Sequence, residues 1–361
     1  MHPSRPTLAD VASAAGVSVS TASLAFSGAG PIAAATRDRV LAAAADLAYA
    51  GPNPLGQQLR SGRSGIVGAI FGDRLRRSFR DPVSIQMLDG LAQALGAHGA
   101  GLLLLAAEAG TVPPLVERAA MDAAVVVLCH EPADQLIATL ARRGIPTVVV
   151  EGALGTEGEE TGIPPGARIA NVRIDDRRGT ERLVRALRAL GHERFGLVSL
   201  PLGHDRQLAE LDPVRYPVAG FLATRSRLAG VADAGVVPEV VIETPGSLIE
   251  HGRAAGHRIL SRPDPPTAIV AQSDLLAAGV LLAARERGLR VPDDVSIAGF
   301  DGVDLPWLAP DVLTTVRQPL AEKGRLSGEA AISLIAGETV PDIVLPVTFL
   351  QGTTTGPPPS R

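Results

Sequence analysis

The sequence predicts a small all-helical headpiece followed by an α/β domain of two doubly wound parallel-sheet lobes. Three short amphipathic segments in the first fifty residues predict the headpiece. Eight strand-length apolar runs, most of them separated by segments of helical length, predict the α/β domain. At 361 residues the chain is long for one domain, since domains typically contain about 100–200 residues. Length and pattern therefore both favour more than one folding unit.

Composition limits the classes of protein that the chain can belong to. Hydrophobic residues make up 46% and charged residues 20%, which is typical of a globular chain. The longest apolar runs have strand length, and residues 1–30 lack the apolar core of a signal peptide. Cys129 is the single cysteine, so no disulfide can form within the chain. We therefore expect a cytoplasmic protein without a membrane partner.

The net charge of −4 is unevenly distributed along the chain. Residues 1–63 contain five arginines and three aspartates, so this part carries +2 and the remainder carries −6. Arginine supplies every basic side chain except Lys323, which is typical of the coding bias of a GC-rich genome. A weakly basic N-terminal part on an acidic body is compatible with DNA binding.

The start and end signals of short helices organise the headpiece. Thr7 and the acid three residues later form a capping-box pattern, and Gly16 can adopt the positive φ that ends a helix. Ser18 is placed to cap a second helix over residues 19–26, and a third is predicted over residues 34–48. Two short helices joined by a turn that contains glycine are typical of a helix-turn-helix. Spacing alone leaves any small three-helix bundle open.

Five motifs in the headpiece resemble, in order, that of the LacI/GalR family of bacterial repressors. They are TLADVA (7–12), AGVS (15–18), STAS (20–23), TRDRV (36–40) and LAY (47–49) with PN (52–53). The resemblance implies a homodimer that binds a pseudo-palindromic operator in double-stranded DNA, with the second helix in the major groove. By position, it implies DNA contacts by Thr7, Ser18, Val19, Ser20, Thr21, Ser23, Leu24 and Thr36. Val19, Ser20 and Leu24 occupy the positions that contact bases.

Two headpiece positions depart from the family pattern. Leu24 stands where the family usually has an arginine, the side chain that can make a bidentate contact to guanine. Ala33 stands where a serine usually caps the third helix, which should destabilise that helix by about 1 kcal/mol. We therefore expect an operator that differs from the usual family consensus.

A hinge is predicted over residues 51–63, between the headpiece (residues 1–50) and the sensor domain (residues 64–361). Glycine and proline at both ends indicate a flexible connector. In the resembled family this segment forms a helix on the operator and inserts a leucine into the minor groove. The resemblance places Leu59 at that position, with Asn53 and Gln57 as flanking DNA contacts. Packing of Leu59 against the sensor domain is the alternative.

The predicted strands of the sensor domain are apolar throughout. They cover residues 66–71, 102–105, 123–128, 147–150, 195–200, 240–242, 267–271 and 295–299. Runs that are apolar on both faces and separated by helices predict parallel sheets covered on both sides. The crevice between two such lobes is the expected ligand site.

Further motifs resemble the sensor domain of the same family. They are IDDRRG (174–179), LGHER (190–194), AIVAQSD (268–274), VPDDVSIAGFD (291–301) and LTTVRQP (313–319). The resemblance implies a periplasmic-binding-protein type I fold whose chain crosses three times between its lobes. We expect a first lobe of about residues 64–173 and 302–330, and a second of about residues 174–301 and 331–355.

Polar residues that follow predicted strands are the candidate effector contacts. The resemblance places Asp301 and Ser273 at strand ends that face the crevice, where a carboxylate and a hydroxyl can bind a polar effector. A carboxylate there can accept hydrogen bonds from two sugar hydroxyls. Glu151 and Gln318 are weaker candidates, and Asp274 is better interpreted as a helix N-cap than as a ligand contact.

The arginine with which the family usually binds its effector is replaced by Pro217, and Arg215 is the nearest candidate. The best hypothesis is a repressor whose operator affinity depends on a small polar metabolite, a sugar or sugar derivative. Whether that metabolite induces or co-represses stays open. The tail of residues 356–361 is expected to be disordered.

An enzyme and a solute-binding protein of a transporter are the alternatives. Seven scattered histidines lack metal-ligand spacing, and the sequence has no phosphate-binding loop or Gly-x-Ser-x-Gly motif, so we expect no enzyme, cofactor or metal. His192 is interpreted as a surface turn residue. A solute-binding protein would share the sensor fold but would need a signal peptide and no headpiece.

Overall fold

The computed structural model describes residues 6–28, 30–51, 62–71, 78–106, 114–127, 133–152, 162–203, 205–211 and 220–360. The chain divides into two compact units, Met1–Ser64 and Gly65–Arg361. Within the described ranges no single helix is long and apolar enough to cross a membrane, and only the bent pair Leu8–Ala14 and Val19–Ser27 meets that standard jointly.

The first unit is the headpiece, with helices α1 (Leu8–Ala14), α2 (Val19–Ser27) and α3 (Ala34–Asp46) at the predicted positions. Thr7 forms the predicted capping box. Its backbone N–H donates to Asp10 Oδ2 at 2.7 Å, and its Oγ1 accepts from the Asp10 N–H at 3.3 Å. Ser18 Oγ accepts from the Thr21 N–H at 3.1 Å. These bonds satisfy N–H groups that have no partner within the helix, so they fix where α1 and α2 begin.

Small apolar side chains hold the three helices together. The buried set is Val11, Ala12, Ala15, Ala22, Ala25, Val40 and Ala44. The rings of Phe26 and Tyr49 add an edge-to-face contact with 5.6 Å between their centroids. As predicted, Ala33, the N-cap residue of α3, provides no side-chain hydrogen bond to the helix. A core composed mainly of alanine buries little apolar area per residue, so local caps matter for the stability of this unit.

The first lobe of the second unit is a six-stranded parallel sheet with helices on its faces. Its strands are β1 (Ile66–Phe71), β2 (Gly101–Ala106), β3 (Ala123–Val127), β4 (Thr147–Val150), β5 (Ile169–Ile174) and β12 (Ile343–Leu345), in the order β12-β5-β4-β3-β1-β2. Its helices are α4 (Pro82–Ala97), α5 (Ala133–Arg142) and α10 (Leu320–Ala336). All four residues of β4 are buried, as a parallel strand covered on both faces requires.

Helices α4 and α10 approach each other closely at glycines. A Cβ atom on Gly90 would lie 1.9 Å from the Ala321 carbonyl oxygen, and one on Gly324 would lie 1.9 Å from that of Met87. Any side chain at either glycine would therefore push the helices apart. This contact holds the part of α10 that carries Lys323 firmly against the first lobe.

The second lobe has a five-stranded sheet with the same layered architecture. Its strands are β6 (Phe195–Ser199), β7 (Ala209–Glu210), β8 (Val240–Glu243), β9 (Ala268–Ala271) and β10 (Ser296–Ala298), in the order β10-β9-β6-β8-β7 with β7 antiparallel. Its helices are α6 (Asp176–Ala189), α7 (Leu222–Asp233), α8 (Ile249–Leu260) and α9 (Asp274–Glu286). All eight predicted strands are confirmed to within two residues. The strands that were not predicted are β5, β7 and three short ones near the C-terminus, β11 (Thr315–Arg317), β12 and β13 (Thr348–Leu350).

The expected division between the lobes is wrong near the C-terminus. Helix α10 continues to Ala336, and β12 pairs with β5 in the first sheet, with Ile343 opposite Val172. Residues 331–345 therefore belong to the first lobe, because they complete the edge of its sheet. The crossing strands β11 (Thr315–Arg317) and β13 (Thr348–Leu350) form a separate antiparallel pair.

The C-terminal tail and His192 also differ from the prediction. The Gly356 N–H donates to Ser296 Oγ at 3.0 Å, and the Gly356 carbonyl oxygen lies 2.9 Å from His192 Nε2. The other ring nitrogen of His192 lies 2.8 Å from Thr267 Oγ1. At 2% exposure, His192 is a buried bridge between the tail and the second lobe, not a surface turn residue. Residue 356 is therefore ordered by its bonds to the sheet.

Candidate functional site

The predicted DNA contacts of the headpiece lie at the start of α1, along α2 and in the first turn of α3. The exposed members are Thr7, Ser18, Val19 and Ser20, and the half-buried members are Thr21, Ser23, Leu24 and Thr36. Ser18 Oγ lies 2.8 Å from both Ser20 Oγ and Thr21 Oγ1. The structure thus brings three of the predicted hydroxyls together at the N-terminal end of α2, where the helix dipole favours a negatively charged group such as a phosphate.

Helix α2 carries no charged side chain. Val19 is 50% exposed and is the large apolar group on its outer face. Leu24 packs back on the turn that follows the helix, since its Cδ2 lies 3.1 Å from where a Cβ on Gly30 would be. The exposed face of α2 therefore offers DNA hydroxyl groups and one apolar side chain, with no arginine, lysine or amide.

Four predicted contacts lie outside the described residues. They are Asn53, Gln57 and Leu59 of the hinge and Arg215 of the sensor domain. Their assigned contacts stay predictions.

A cavity of about 200 Å³ lies between the two lobes of the sensor domain. Its polar wall is formed by Ser78, Asp81, Ser84, Glu151, Arg206, Thr224, Arg227, Ser247, Ser273, Asp301, Gln318 and Lys323. Its apolar wall includes Phe71, Val83, Met87, Val127, Leu200, Phe221 and Leu248. Four of the five predicted effector contacts, namely Asp301, Ser273, Glu151 and Gln318, are thus brought together on one cavity surface.

Asp301 follows β10 and is held in place on three sides. Its N–H donates to the Val316 carbonyl at 2.8 Å, and its own carbonyl accepts from the Gln318 N–H at 2.9 Å. Its Oδ1 accepts from Gln318 Nε2 at 2.6 Å. The φ of Asp301 is 127°, a conformation that a residue with a side chain adopts only when its surroundings impose it. The crossing segment therefore fixes the direction of this carboxyl group.

Arg227, on α7, is 5% exposed and holds the second-lobe side of the cavity. Its Nε donates to Asp176 Oδ1 at 2.7 Å, and its Nη1 donates to the Gln272 carbonyl and lies 3.5 Å from Asp301 Oδ1. The guanidinium carbon is 3.7 Å from the centroid of the Phe300 ring. Two carboxylates, a carbonyl and an aromatic face thus surround one buried cation.

Lys323, on α10, holds the first-lobe side of the cavity and is 3% exposed. Its Nζ donates to Glu151 Oε1 and to Gln318 Oε1, each at 2.8 Å. Glu151 Oε2 is buried and has no hydrogen-bond partner among the described residues. One connected set of side chains results, which we name the cleft chain: Glu151, Lys323, Gln318, Asp301, Arg227 and Asp176.

Ser273, not Asp274, is the N-cap of α9. Its Oγ accepts from the Leu276 N–H at 3.2 Å and lies 2.8 Å from Ser247 Oγ. The capping role predicted for Asp274 is wrong because Asp274 is already the first helical residue. The Ser273 hydroxyl therefore lines the cavity while it also caps the helix.

Asp274 instead binds the backbone that follows Asp301. Its Oδ2 accepts from the Gly302 and Val303 N–H groups at 2.7 and 2.9 Å, and its Oδ1 accepts from Thr315 Oγ1 at 2.6 Å. Burial raises the pKa of Asp274 to about 6, against the opposing effect of these hydrogen bonds. Asp274 thus fixes the turn behind the cavity wall and does not line the cavity.

The carboxyl groups on the cavity wall are strongly desolvated. Burial raises the pKa of Asp301 well above its usual range, and the nearby charges of Asp274 and Asp81 add to the rise, against the effect of Arg227. Burial likewise raises the pKa of Asp81, the N-cap of α4, which faces the cavity from the first lobe. In such a setting each ionised carboxylate needs a donor or a cation beside it.

Arg227, Lys323 and Asp81 were not among the predicted site residues. Arg227 falls at helical spacing with the buried residues Leu228 and Val231, which indicates a charge that faces the interior. Lys323 is the only lysine in a chain that otherwise uses arginine. Asp81 precedes a proline at a helix start, a common capping signal. Each signal was present in the sequence, but none identifies the partner.

Over the described ranges, no group of three or more histidine, cysteine, aspartate or glutamate residues could hold a metal ion. The cavity wall combines hydrogen-bonding and apolar side chains, which suits an organic ligand.

Two family models match the chain. The model of bacterial regulatory proteins of the lacI family matches residues 7–53, and that of the periplasmic binding protein-like domain matches residues 184–355. The matched ranges contain the helix-turn-helix and most of the second lobe. The second range includes Asp301, Lys323 and β12 of the first sheet. Strands β1 to β5 lie outside both ranges, and the first range ends at residue 53, within the predicted hinge.

Similar proteins extend the match to nearly the whole chain. An HTH-type transcriptional regulator of Mycobacterium tuberculosis is 33% identical over an alignment of 366 positions that covers 98% of each chain. The structure of a transcriptional regulator CelR–cellobiose complex is 26% identical with a TM-score of 0.67, over 97% of this chain and 100% of the other. The lac repressor dimer bound to operator and an anti-inducer has the same fold, with a TM-score of 0.77 at 24% identity over 97% and 99% of the two chains.

Proposed function

The chain belongs to the LacI family of bacterial transcription regulators, and we propose that it is a cytoplasmic repressor whose affinity for operator DNA is controlled by a small polar metabolite bound in the cavity. The observation that carries this proposal is the combination, in one chain, of a capped helix-turn-helix and a cavity between two lobes that is lined by both polar and apolar side chains. The members of this family are regulators rather than enzymes.

Two headpieces on a homodimer would bind adjacent half-sites, with α2 in the major groove. The proposed DNA contacts are the hydroxyls of Thr7, Ser18, Ser20, Thr21, Ser23 and Thr36, with apolar contacts from Val19 and Leu24. Asn53, Gln57 and Leu59 would add minor-groove contacts from the hinge. The α2 face carries no charged side chain, so it cannot make the guanine contact for which the family usually has an arginine at position 24. This supports an operator that is contacted by side-chain hydroxyls and by apolar groups.

The proposed effector is a sugar or a sugar derivative. Asp301, Glu151, Ser273 and Gln318 supply oxygen acceptors on one cavity wall, which suits a ligand with several hydroxyl groups. The similar regulator CelR was solved as a cellobiose complex, which supports the same class here. Arg215 remains a proposed contact without a described position.

Selection of bound sequences from random DNA by the full-length protein tests the DNA-binding part. We expect enrichment of a pseudo-palindrome of two half-sites, and Ser20→Ala should change the preferred bases. Arg253→Gln, a surface change on α8 in the second lobe, should leave the selected sequence unaltered. No enrichment at low salt would contradict the proposal, since electrostatic contacts are strongest there.

Asp301→Asn tests the effector part. The variant should bind the selected operator normally and lose its response to effector. The reason is that it lacks the carboxylate on the cavity wall that Gln318 holds in place by a hydrogen bond. Asp311→Asn removes a carboxylate outside this cavity, which pairs with Arg285, and is the matched control. A normal response in Asp301→Asn would move the effector site elsewhere.

A further inference from the structure

Each of the two cations in the cleft chain lies against a carboxylate of the protein. Lys323 lies against Glu151, and Arg227 lies against Asp176 with Asp301 3.5 Å away. Arg206, a third cation on the cavity wall, donates to the Pro245 carbonyl at 3.3 Å. Both buried cations are therefore engaged with carboxylates of the protein itself, as burial of a charge requires.

Glu151 leaves one open acceptor in the cleft chain. Its Oε1 accepts from Lys323, while its Oε2 is buried without a hydrogen-bond donor among the described residues. A buried carboxylate oxygen without a donor is unfavourable, so a ligand that brings a donor to this atom gains the bond that the protein does not supply. The cavity therefore favours ligands that donate hydrogen bonds at Glu151.

The surroundings of that acceptor disfavour ligands of either charge. An anionic group at Glu151 Oε2 would meet the negative charge of that carboxylate, while Lys323 and Arg227 on the cavity wall are already paired with carboxylates of the protein. An ammonium group placed beside Glu151 would approach Lys323, whose Nζ is only 2.8 Å from the same carboxylate. A hydroxyl group donates without adding charge, so it meets neither form of repulsion.

The size and the other wall of the cavity fit the same ligand class. At about 200 Å³ the cavity is smaller than the ~300–1,000 Å³ that is usual for small-molecule sites, which favours a compact ligand. Phe71, Val127, Leu200 and Phe221 form an apolar wall, against which the C–H face of a sugar ring can pack.

We propose that the buried Lys323–Glu151 pair makes the cavity selective for an uncharged, hydroxyl-rich ligand the size of a single sugar ring. The two side chains thus determine the charge class of the effector. This inference rests on the proposed function and narrows it, since it excludes phosphorylated, carboxylated and amino derivatives.

Three matched sets of monosaccharides test the proposal: unmodified pyranoses, the corresponding uronic acids and the corresponding 2-amino sugars. Each set is titrated into full-length protein, and binding is measured by calorimetry and by the shift in melting temperature. Wild-type protein should bind only members of the unmodified set. Preference for a charged set, or binding of none of the three sets, overturns the proposal.

Two charge variants should change the selectivity in opposite directions. Glu151→Gln leaves Lys323 without its carboxylate, so affinity for uronic acids should rise at least tenfold relative to the unmodified sugars. Lys323→Met leaves Glu151 without its cation, so affinity for amino sugars should rise at least tenfold. Arg253→Gln removes one member of an exposed ion pair on the second lobe and should change neither ratio.

The double variant Lys323→Met with Glu151→Gln guards against loss of folding in the single variants. It leaves no unpaired charge from this pair, and discrimination against both charged sets should weaken at least tenfold. Lys323→Arg keeps the charge and should retain the wild-type selectivity. Unchanged selectivity in the double variant, checked by circular dichroism to be folded, overturns the proposal.

The DNA selection experiment separates this inference from the proposed function. If an operator is selected but no uncharged sugar binds, the proposed charge class is wrong while the regulator stands. If uncharged sugars bind and no operator is selected, the cavity assignment stands and the DNA-binding proposal fails.

Discussion

The headpiece surface and the sensor cavity are held together over very different distances along the chain. In the headpiece, Thr7 bonds to Asp10 and Ser18 bonds to Thr21, three residues apart in each case. In the cavity, Lys323 bonds to Glu151 across 172 residues. The headpiece pairs are exposed or half-buried, whereas the cavity pair is largely buried and joins two charged groups. Water can hydrate the headpiece groups until DNA binds, whereas a charge buried in the cavity needs a partner of opposite charge from the protein itself.

Arg227→Met should give the largest loss of stability, because the buried carboxylates of the cavity depend on this cation. It removes the cation between Asp176 and Asp301 and leaves two buried carboxylates without it. Breaking a buried ion pair by removal of one partner typically costs about 3–5 kcal/mol of unfolding free energy. Urea unfolding followed by circular dichroism measures this loss.

Arg253→Met is the matched control for that variant. Arg253 also pairs with a carboxylate, that of Glu286, but 53% and 37% of the two side chains are exposed. An exposed pair contributes about 0–1 kcal/mol, so the control should unfold almost as the wild type does. Equal losses in both variants would contradict the view that burial gives the Arg227 network its importance.

The same difference in sequence separation explains what the sequence could predict. The capping box at Thr7, the cap at Ser18 and the missing cap at Ala33 are confirmed, because each depends on residues within one helical turn. The eight predicted strands are confirmed because the apolar pattern of a buried parallel strand is also local. β5 escaped prediction because its burial alternates along the strand, as in a partly covered strand.

Most of the errors concern contacts between distant segments, and the N-cap of α9, which lies one residue earlier than predicted, is the local exception. Residues 331–345 were assigned to the wrong lobe because the pairing of β12 with β5 is not visible in either segment. His192 follows a glycine, as surface turn residues often do, yet it is buried by Gly356, 164 residues away. Lys323 was not predicted as a site residue because nothing near it in sequence shows its partner Glu151. Family resemblance supplied Asp301 and Gln318, which local patterns alone would not.

The pH dependence of stability isolates one buried carboxyl group, that of Asp274 behind the cavity wall. Burial raises the pKa of Asp274 to about 6 from 3.8. Between these two pH values the folded protein keeps a proton that the unfolded chain has lost, so this group stabilises the fold fully below pH 3.8 and the contribution is lost as the pH rises to 6. The slope is at most about 1.4 kcal/mol per pH unit for one proton.

Asp274→Asn should remove this contribution without removing the side chain. The difference between wild-type and variant unfolding free energies is measured in urea at pH values from 4 to 7. That difference should shift in favour of the variant as the pH rises toward 6 and then level off. A difference that does not vary with pH would show that Asp274 ionises normally in the fold.

Thr7→Ala tests the capping bonds of the headpiece, and its effect on stability should be smaller than that of Arg227→Met. The substitution removes the Oγ1 that accepts from the Asp10 N–H, and loss of an N-cap typically costs about 1 kcal/mol. Hydrogen exchange of α1 amides in the full-length protein should accelerate, while exchange in the sensor domain stays unchanged. Equal acceleration in both units would indicate that the headpiece does not unfold separately.

Ala33→Ser should give the smallest effect, and it is the one change here that should stabilise the protein. Ala33 already has the extended backbone of an N-cap, with φ −64° and ψ 136°, but offers no acceptor to the first turn of α3. A serine at this position supplies that acceptor, so slower exchange of α3 amides by a factor that corresponds to about 0.5–1 kcal/mol is expected. Ala34→Ser, one residue into the helix, is the matched control and should not slow exchange, because its hydroxyl is past the capping position. If both serines slow exchange equally, the stabilisation does not come from the cap. Capping bonds would then contribute less to the stability of the headpiece than its contrast with the cavity implies.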